Sequence, residues 1–460
     1  MIRLPLFFSI LIAFVAGLSA EKRPNILFIA VDDLNHWVGY FKRNHQAKTP
    51  NTDRLSAMGM SFTNSHCAVP ACEPSRAALM SGRRASTSGC YLNGHTWTKH
   101  VPEGISLNHT LKKNGYKTYA IGKIYHGHSN SGYASGWDEY PNLTHNGSPK
   151  PSKYQGYFEP LPLDMKDEDL PDWQMVDYCE KKLNEQHDEP FFLACGFIKP
   201  HLAWAVPKKY YDMFPLESIE LPPHKENDLD DVPPAGVKMA KPQGDHAKFL
   251  KLDRWKHAVQ SYLATIAYCD MNIGRLLDAL EKSPHKDNTA IVFWGDHGWS
   301  LGEKSHWRKF ALWEETTRAP MIWVVPGLTQ AGTICDQPVD FMNIFPTLCE
   351  ITETPTPSHC EGYSMMPLLK NKNTEWNHIA LTTHGYKNHS IRSKDWRYTQ
   401  YSDGSEELYH HKNDPYEYTN LATHPDYDNI KKELQRHLPK INVEMPQKSS
   451  STKKPKKKKV

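Results

Sequence analysis

Four stretches of this chain are apolar almost without interruption: Ile26–Val31, Pro190–Phe197, Thr289–Trp294 and Met321–Val325. A run with no polar alternation predicts a strand covered on both faces, as in the middle of a layered sheet. Three of the runs end in polar residues: Asp32-Asp33 after the first, Lys199-Pro200-His201 after the second, and Asp296-His297-Gly298 after the third. Ligands of open α/β sheets sit at the carboxyl ends of the strands, so these residues are predicted to share one edge.

Between the runs the pattern changes to helical spacing. Asn51–Met60 follows a Thr49-Pro50 start, Ile105–Asn114 stops at Gly115, and Trp255–Leu280 places Leu263, Ile266, Ala267, Ile273, Leu276, Leu277 and Leu280 on one face. Buried strands alternating with such helices predict an α/β layered fold. Pro141–Asp172 and Lys225–Pro242, rich in Pro, Gly, Asn or acidic residues, read as long loops of the kind that shape a pocket. Beyond about residue 375 the apolar pieces shorten to Ile379–Thr383, Ser390–Ser393, Trp396–Tyr401 and Glu407–Tyr409. These predict a small antiparallel sheet, closed by a helix near Tyr427–His437.

Composition adds the setting. With 39% hydrophobic and 23% charged residues the 460-residue chain is globular and large enough for an extended core. Met1-Ile2-Arg3, the apolar stretch Leu4–Leu18 and the small-residue site Leu18-Ser19-Ala20 read as a signal peptide over residues 1–20. The expectation is a secreted or periplasmic protein with no stable membrane anchor. The formal charge of +3 is smaller than the six positives of Lys453, Lys454 and Lys456 to Lys459, so the body of the chain is acidic. The tail, residues 446–460, reads as a disordered basic end, and no nucleic-acid partner is expected. Export permits disulfides among the nine cysteines: Cys349 with Cys360, or Cys335 with either, while Cys195 and Cys269 lie in apolar segments as buried thiols.

The chemistry is concentrated in five short motifs. Cys72-Glu73-Pro74-Ser75-Arg76 is a C-x-P-S-R run with neither metal-ligand nor redox spacing. Asp32-Asp33, Gly122-Lys123-Ile124-Tyr125-His126, Lys199-Pro200-His201, and Asp296-His297-Gly298 with Lys309 complete the set. In this order they resemble the type I, formylglycine-dependent sulfatases over most of the mature length. Within that family Phe191–His201, Pro207–Phe214, Asp296–Glu303 and Val339–Leu348 are most similar to iduronate-2-sulfatase.

The resemblance implies an alkaline-phosphatase/sulfatase-like α/β fold, a large central mixed sheet flanked by helices. A catalytic domain would span 21–375 and a small antiparallel-sheet subdomain 376–445. It also implies that a maturation enzyme converts Cys72 to formylglycine, whose hydrated aldehyde attacks sulfur. One Ca²⁺ would be held by Asp32, Asp33, Asp296, His297 and the converted Cys72, and carboxylate oxygens are the donors a hard cation takes. Arg76, Lys123 and Lys309 would place positive charge around the sulfate. His201, helped by Lys309, would be the acid for the leaving oxygen, and His126 the base that collapses the sulfated intermediate. The implied substrate is a sulfated carbohydrate. Phe310 and the Pro141–Asp172 loop are where its identity would be read, and Trp299, Trp307 and Trp313 are candidates for sugar stacking or for core packing. A phosphatase or phosphonate monoester hydrolase of the same superfamily, and a non-catalytic carbohydrate-binding descendant, are the alternative readings.

Overall fold

A computed structural model of the protein describes residues 23–126, 134–143 and 161–445. The expected signal peptide (1–20), the basic tail (446–460) and residues 144–160 of the Pro141–Asp172 loop lie outside them.

The apolar runs become β1 (Asn25–Val31), β4 (Phe191–Phe197), β5 (Thr289–Gly295) and β6 (Met321–Val324), joined by β2 (Met60–Phe62), β3 (Lys117–Gly122) and β7 (Thr333–Cys335). They form one seven-stranded sheet in the order β7-β2-β6-β5-β1-β4-β3. β1 lies parallel between β4 and β5, and β3 runs parallel to β4. β6 runs antiparallel to both its neighbours, which makes the sheet mixed.

Alternation along the strands sends side chains to two separate cores. Leu27, Ile29 and Val31 join Leu193, Cys195 and Phe293 beneath helices α2 (Pro171–Asn184) and α4 (Trp255–Lys282). Ile26, Phe28 and Ala30 join Phe192, Ala194 and Trp294 on the other face, covered by Leu79 and Met80 of α1 (Cys72–Ser81) and by Ile344, Phe345 and Leu348. Every residue of β1 is buried, and each large apolar side chain so covered contributes roughly 1.5–3 kcal/mol.

Three expectations need correction. The helix predicted over Asn51–Met60 ends at Met58, because Met60–Phe62 is taken up as β2 against β6. The supposed loop Lys225–Pro242 carries a helix, α3 (Pro234–Ala240), and the last two residues of Pro141–Asp172 already belong to α2; each helix has proline in its first turn, where the missing N–H costs no hydrogen bond. All nine cysteines are free thiols, so none of the suggested disulfides is formed, and Cys195 and Cys269 are buried as expected.

The C-terminal region forms the antiparallel sheet β8 (Ala380–Thr383), β9 (His389–Arg392), β10 (Trp396–Gln400) and β11 (Glu406–His410), with α5 (Asp428–Gln435) beside it. A buried ion-pair network fastens it to the body. Arg397 Nε meets Glu417 Oε1 at 2.5 Å, its Nη2 meets Glu314, and Arg392 Nε lies 3.3 Å from Glu314 Oε2. Among the described residues no helix is long and apolar enough to cross a membrane.

Candidate active site

The strand ends lie in register: Val31 pairs with Phe197 and with Gly295, and Gly122 pairs with Gly196. Residues just past those pairs therefore reach one edge of the sheet. They are Asp32 and Asp33 after β1, Lys123 after β3, Lys199 and His201 after β4, and Asp296 and His297 after β5. Two glycines let the chain cross there. Gly122 takes φ +76°, and a Cβ on Gly196 would stand 2.3 Å from the Lys123 carbonyl oxygen.

Cys72 opens α1, a helix whose ten residues are all buried. The rest of its motif is scaffold. Ser75 Oγ donates to the Asp296 carbonyl at 2.5 Å, Arg76 Nε donates to Asp296 Oδ2 at 2.9 Å, and Arg76 Nη1 donates to the Lys123 carbonyl. Arg76 thus fixes the ends of β3 and β5 around Cys72. Its Nη2 stands 3.7 Å from Asp32 Oδ1 and has no hydrogen-bond partner among the described residues.

Around the Cys72 sulfur the expected groups converge. Lys309 Nζ lies 2.8 Å from it, His297 Nε2 3.3 Å and Asp33 Oδ1 3.7 Å. Lys309 Nζ also donates to Asp33 Oδ1 at 2.6 Å, and Lys123 pairs with Asp32 Oδ2. His297 Nδ1 meets the Gly298 carbonyl at 2.9 Å. A carbonyl only accepts, so Nδ1 carries the proton and Nε2 presents its lone pair to Cys72, Asp33 and Asp296. Ligand atoms of Asp32, Asp33, Cys72 and His297 lie within 4.8 Å of one another, all buried. Asp32 Oδ1 and Asp33 Oδ2 are buried without a hydrogen bond from the described residues. Two orphaned carboxylate oxygens facing a neutral imidazole fit a hard divalent cation.

The charges answer one another. Burial alone would raise the Asp32 carboxyl, but Lys123, with His201, Arg76 and Lys309, holds it well below the usual range. Burial likewise opposes ionisation of Asp33, and His201 and Lys309 overcome it. Burial would lower Lys309, but Asp33, with Cys72, Asp32 and Asp296, together raise it further, so the ammonium stays charged. Burial pushes His297 and His201 down, and in His201 the Asp33 and Asp32 carboxylates oppose it by favouring the charged ring.

The Lys309 segment is held under backbone strain. Arg308 and Phe310 on either side take φ +72° and +79°, where a bulky side chain costs roughly 1–3 kcal/mol each. The Phe310 amide donates to the Pro70 carbonyl at 3.0 Å, which ties this segment to the loop before Cys72.

The two candidate proton carriers are placed differently. His201 Nε2 reaches to 3.8 Å from Asp33 Oδ2 at the rim. His126 is set one residue along, its Nδ1 3.3 Å from Glu73 Oε2. Glu73 itself is fixed by the amides of Gly94 (2.5 Å) and Trp97 (3.0 Å). Neither Glu73 nor Asp172 was picked out from the sequence. Asp172, in the first turn of α2, accepts from the amides of Ile198 (2.6 Å) and Lys199 (3.3 Å) and so shapes the turn before His201. An acidic residue just behind Pro171 was the available signal. The three tryptophans are core residues: Trp299, Trp307 and Trp313 are 1%, 4% and 4% exposed, which rules out sugar stacking.

Compared with known proteins, the family model described as Sulfatase matches residues 24–354, and the one described as N-sulphoglucosamine sulphohydrolase, C-terminal, matches 302–444. A protein of Formosa agariphila named Sulfatase is 37% identical over 448 residues, 92% of this chain and 87% of its own length. Iduronate 2-sulfatase of Homo sapiens is 28% identical over 387 residues, 73% of this chain and 70% of its own. Among solved structures, a phosphonate monoester hydrolase of Agrobacterium radiobacter superposes with a TM-score of 0.75 at 20% identity, over 90% of this chain and 94% of that one. A likeness at that identity establishes the fold and leaves the ester open.

Proposed function

The chain belongs to the sulfatase family, as a sulfuric ester hydrolase, and from that premise we propose that it is an exported, calcium-dependent enzyme that removes sulfate from a sulfated carbohydrate, with formylglycine made from Cys72 as its nucleophile. The observation that carries this reading is the pair of orphaned oxygens, Asp32 Oδ1 and Asp33 Oδ2, beside Cys72 and the lone pair of His297. Kinship with iduronate 2-sulfatase supports a sugar ester.

Asp32, Asp33, Asp296 and His297 would hold the cation. When bound, the cation would draw charge from the sulfate oxygens, and the formylglycine diol would supply the attacking hydroxyl. The remaining steps belong to the chain. Lys309, 2.8 Å from Cys72 Sγ, and Lys123 set fixed positive charge where negative charge builds on the sulfate. Arg76 keeps Asp296 and the Lys123 carbonyl in place. His201, at the rim and shaped by the Asp172 turn, donates the proton to the departing sugar oxygen. His126, backed by Glu73, takes the proton whose loss releases the bound sulfate.

Peptide mass spectrometry on the segment containing Cys72, from protein made with the maturation enzyme, tests the nucleophile. Formylglycine is expected, and an unmodified thiol in active protein would overturn the mechanism. Kinetics on the sulfate and phosphate esters of one alcohol test the ester. A strong preference for phosphate would replace this reading with a phosphatase or phosphonate monoester hydrolase. Full retention of substrate turnover in Cys72→Ala would refute catalysis at this site.

A further inference from the structure

Two clefts open on either side of the Lys309 segment, and both are lined by Lys241 and Phe310. The larger, about 570 Å³, lies between α3 and the turn that joins β8 to β9, with Lys238, Lys241, His384, Asn388 and Asp403 around it. The smaller, about 330 Å³, includes Lys309 itself. Phe310 stands between the larger cleft and the reacting centre: its ring centroid lies 5.8 Å from Lys309 Nζ and 6.0 Å from the His384 ring, and its strained backbone is pinned to Pro70.

The charges in the larger cleft are not matched. Lys238 and Lys241 are exposed, and among the described residues neither is engaged in an ion pair. The one carboxylate on the wall, Asp403, is turned back into its own loop, accepting from the Ser405 amide at 3.0 Å and hydroxyl at 2.6 Å. Burial, with His306 and Lys241 nearby, pushes His384 down to about 4, so its imidazole is neutral and suited to sugar hydroxyls. Lys241 caps α3 at φ +53°, in the left-handed position where glycine is the usual residue. His306 fixes the spacing: Nδ1 lies 3.0 Å from the Ala240 carbonyl and Nε2 2.9 Å from the Lys309 carbonyl. The His306 ring thus lies between the end of α3 and the segment carrying the lysine at the reacting centre.

We propose that this cleft is a second glycan subsite, in which Lys238 and Lys241 bind an anionic group, carboxylate or sulfate, on the sugar next to the one that loses its sulfate. The inference rests on the carbohydrate reading above and adds to it: the preferred substrate is a polyanionic oligosaccharide, recognised through the charge of its neighbouring unit. A ring joined to the sugar at Lys309 passes Phe310, and its anionic group meets two ammonium groups that have no other partner among the described residues.

The test uses the mature full-length enzyme and its Lys238→Gln/Lys241→Gln variant. The substrates are an aryl sulfate, which has no second sugar, and sulfated hexuronate disaccharides whose second sugar is neutral, carries a carboxylate or carries a sulfate. On one or both of the last two, kcat/KM is expected to fall roughly 10–100-fold, mostly through KM, the size of one or two charge-assisted hydrogen bonds. Loss confined to one of them identifies the anionic group. An equal loss on all substrates would make the lysines structural and overturn the proposal, as would no loss on any. Wild-type enzyme that cleaves the aryl sulfate and no disaccharide refutes the carbohydrate reading instead, and it does so before any variant is compared.

Discussion

Two buried clusters in this molecule look alike to a ruler. Asp32, Asp33, Cys72 and His297 gather their ligand atoms within 4.8 Å, and so do Glu314, His411 and Glu417. They differ in what answers the carboxylates. Glu314 Oε2 faces Arg397 and Arg392, and its Oε1 lies 3.5 Å from Arg318. Glu417 Oε1 meets Arg397 and His411, at 2.5 and 2.9 Å, and Oε2 accepts from the Glu314 amide at 2.8 Å. Among the described residues, no oxygen of this second cluster is left over. At the sheet edge two oxygens and a lone pair remain. Ligand-type atoms held close together are thus not enough for a cation site; acceptors without donors mark one.

The largest effect that tests this contrast is expected at Cys72. Cys72→Ala should lower kcat on a sulfate ester by at least about 10⁴-fold, the scale seen when a nucleophile is removed, while the unfolding midpoint in denaturant stays close to wild type. A parallel loss of stability would blur the line between the clusters.

Next comes Asp33→Asn, which should cost roughly 10²–10³-fold in kcat as one electrostatic partner is lost. It should also abolish the rise in melting temperature that added Ca²⁺ is expected to give the wild type. Glu314→Gln should leave that rise in place, and a rise lost in Glu314→Gln but kept in Asp33→Asn would reverse the assignment. The same Glu314→Gln variant should lower stability by about 3–5 kcal/mol, because it takes from buried Arg392 and Arg397 the carboxylate they share, yet keep kcat per folded molecule within about twofold. Chemical denaturation and active-site titration read the two quantities.

The smallest effect concerns Asp172, a buried carboxylate answered mainly by amides. Burial raises its carboxyl to about 6, despite the Ile198 amide and Lys199. A raised carboxyl holds its proton longer in the folded state than in the unfolded one. Its contribution is therefore fully present below the ordinary value of 3.8 and lost as pH rises through about 6. Asp172→Asn should flatten the stability profile between those values by on the order of 2 kcal/mol, as read by denaturation at a series of pH values. An unchanged slope would mean that Lys199 already keeps Asp172 ionised.

How much of this was legible in the sequence follows from the range of each interaction. β1, β4, β5 and β6 are apolar on both faces, so the chain announces them, and the motif residues past their ends follow by position. β3 opens with the polar pair Lys-Thr, which shortens its apolar run, and β2 and β7 span three residues each, too short for a periodicity. Asp172, Glu73 and His306 act on backbone atoms 20 or more residues away, with the Ile198, Gly94 and Ala240 contacts spanning 26, 21 and 66 positions. Only the folded sheet brings those partners together, and no local pattern records them. The scaffold role of Arg76 was hidden for the same reason, since its motif suggested a sulfate contact while its side chain holds Asp296.

Cys72 is 1% exposed, in the first turn of a helix with no solvent-facing residue. Any enzyme that rewrites this side chain must first reach it, and the folded chain leaves it covered. The conversion proposed here is thus a race between modification and folding. A molecule that folds first keeps its thiol and is not rescued later. The active fraction of any preparation would then record how slowly the chain closed over residue 72, and growth conditions that delay folding should raise it.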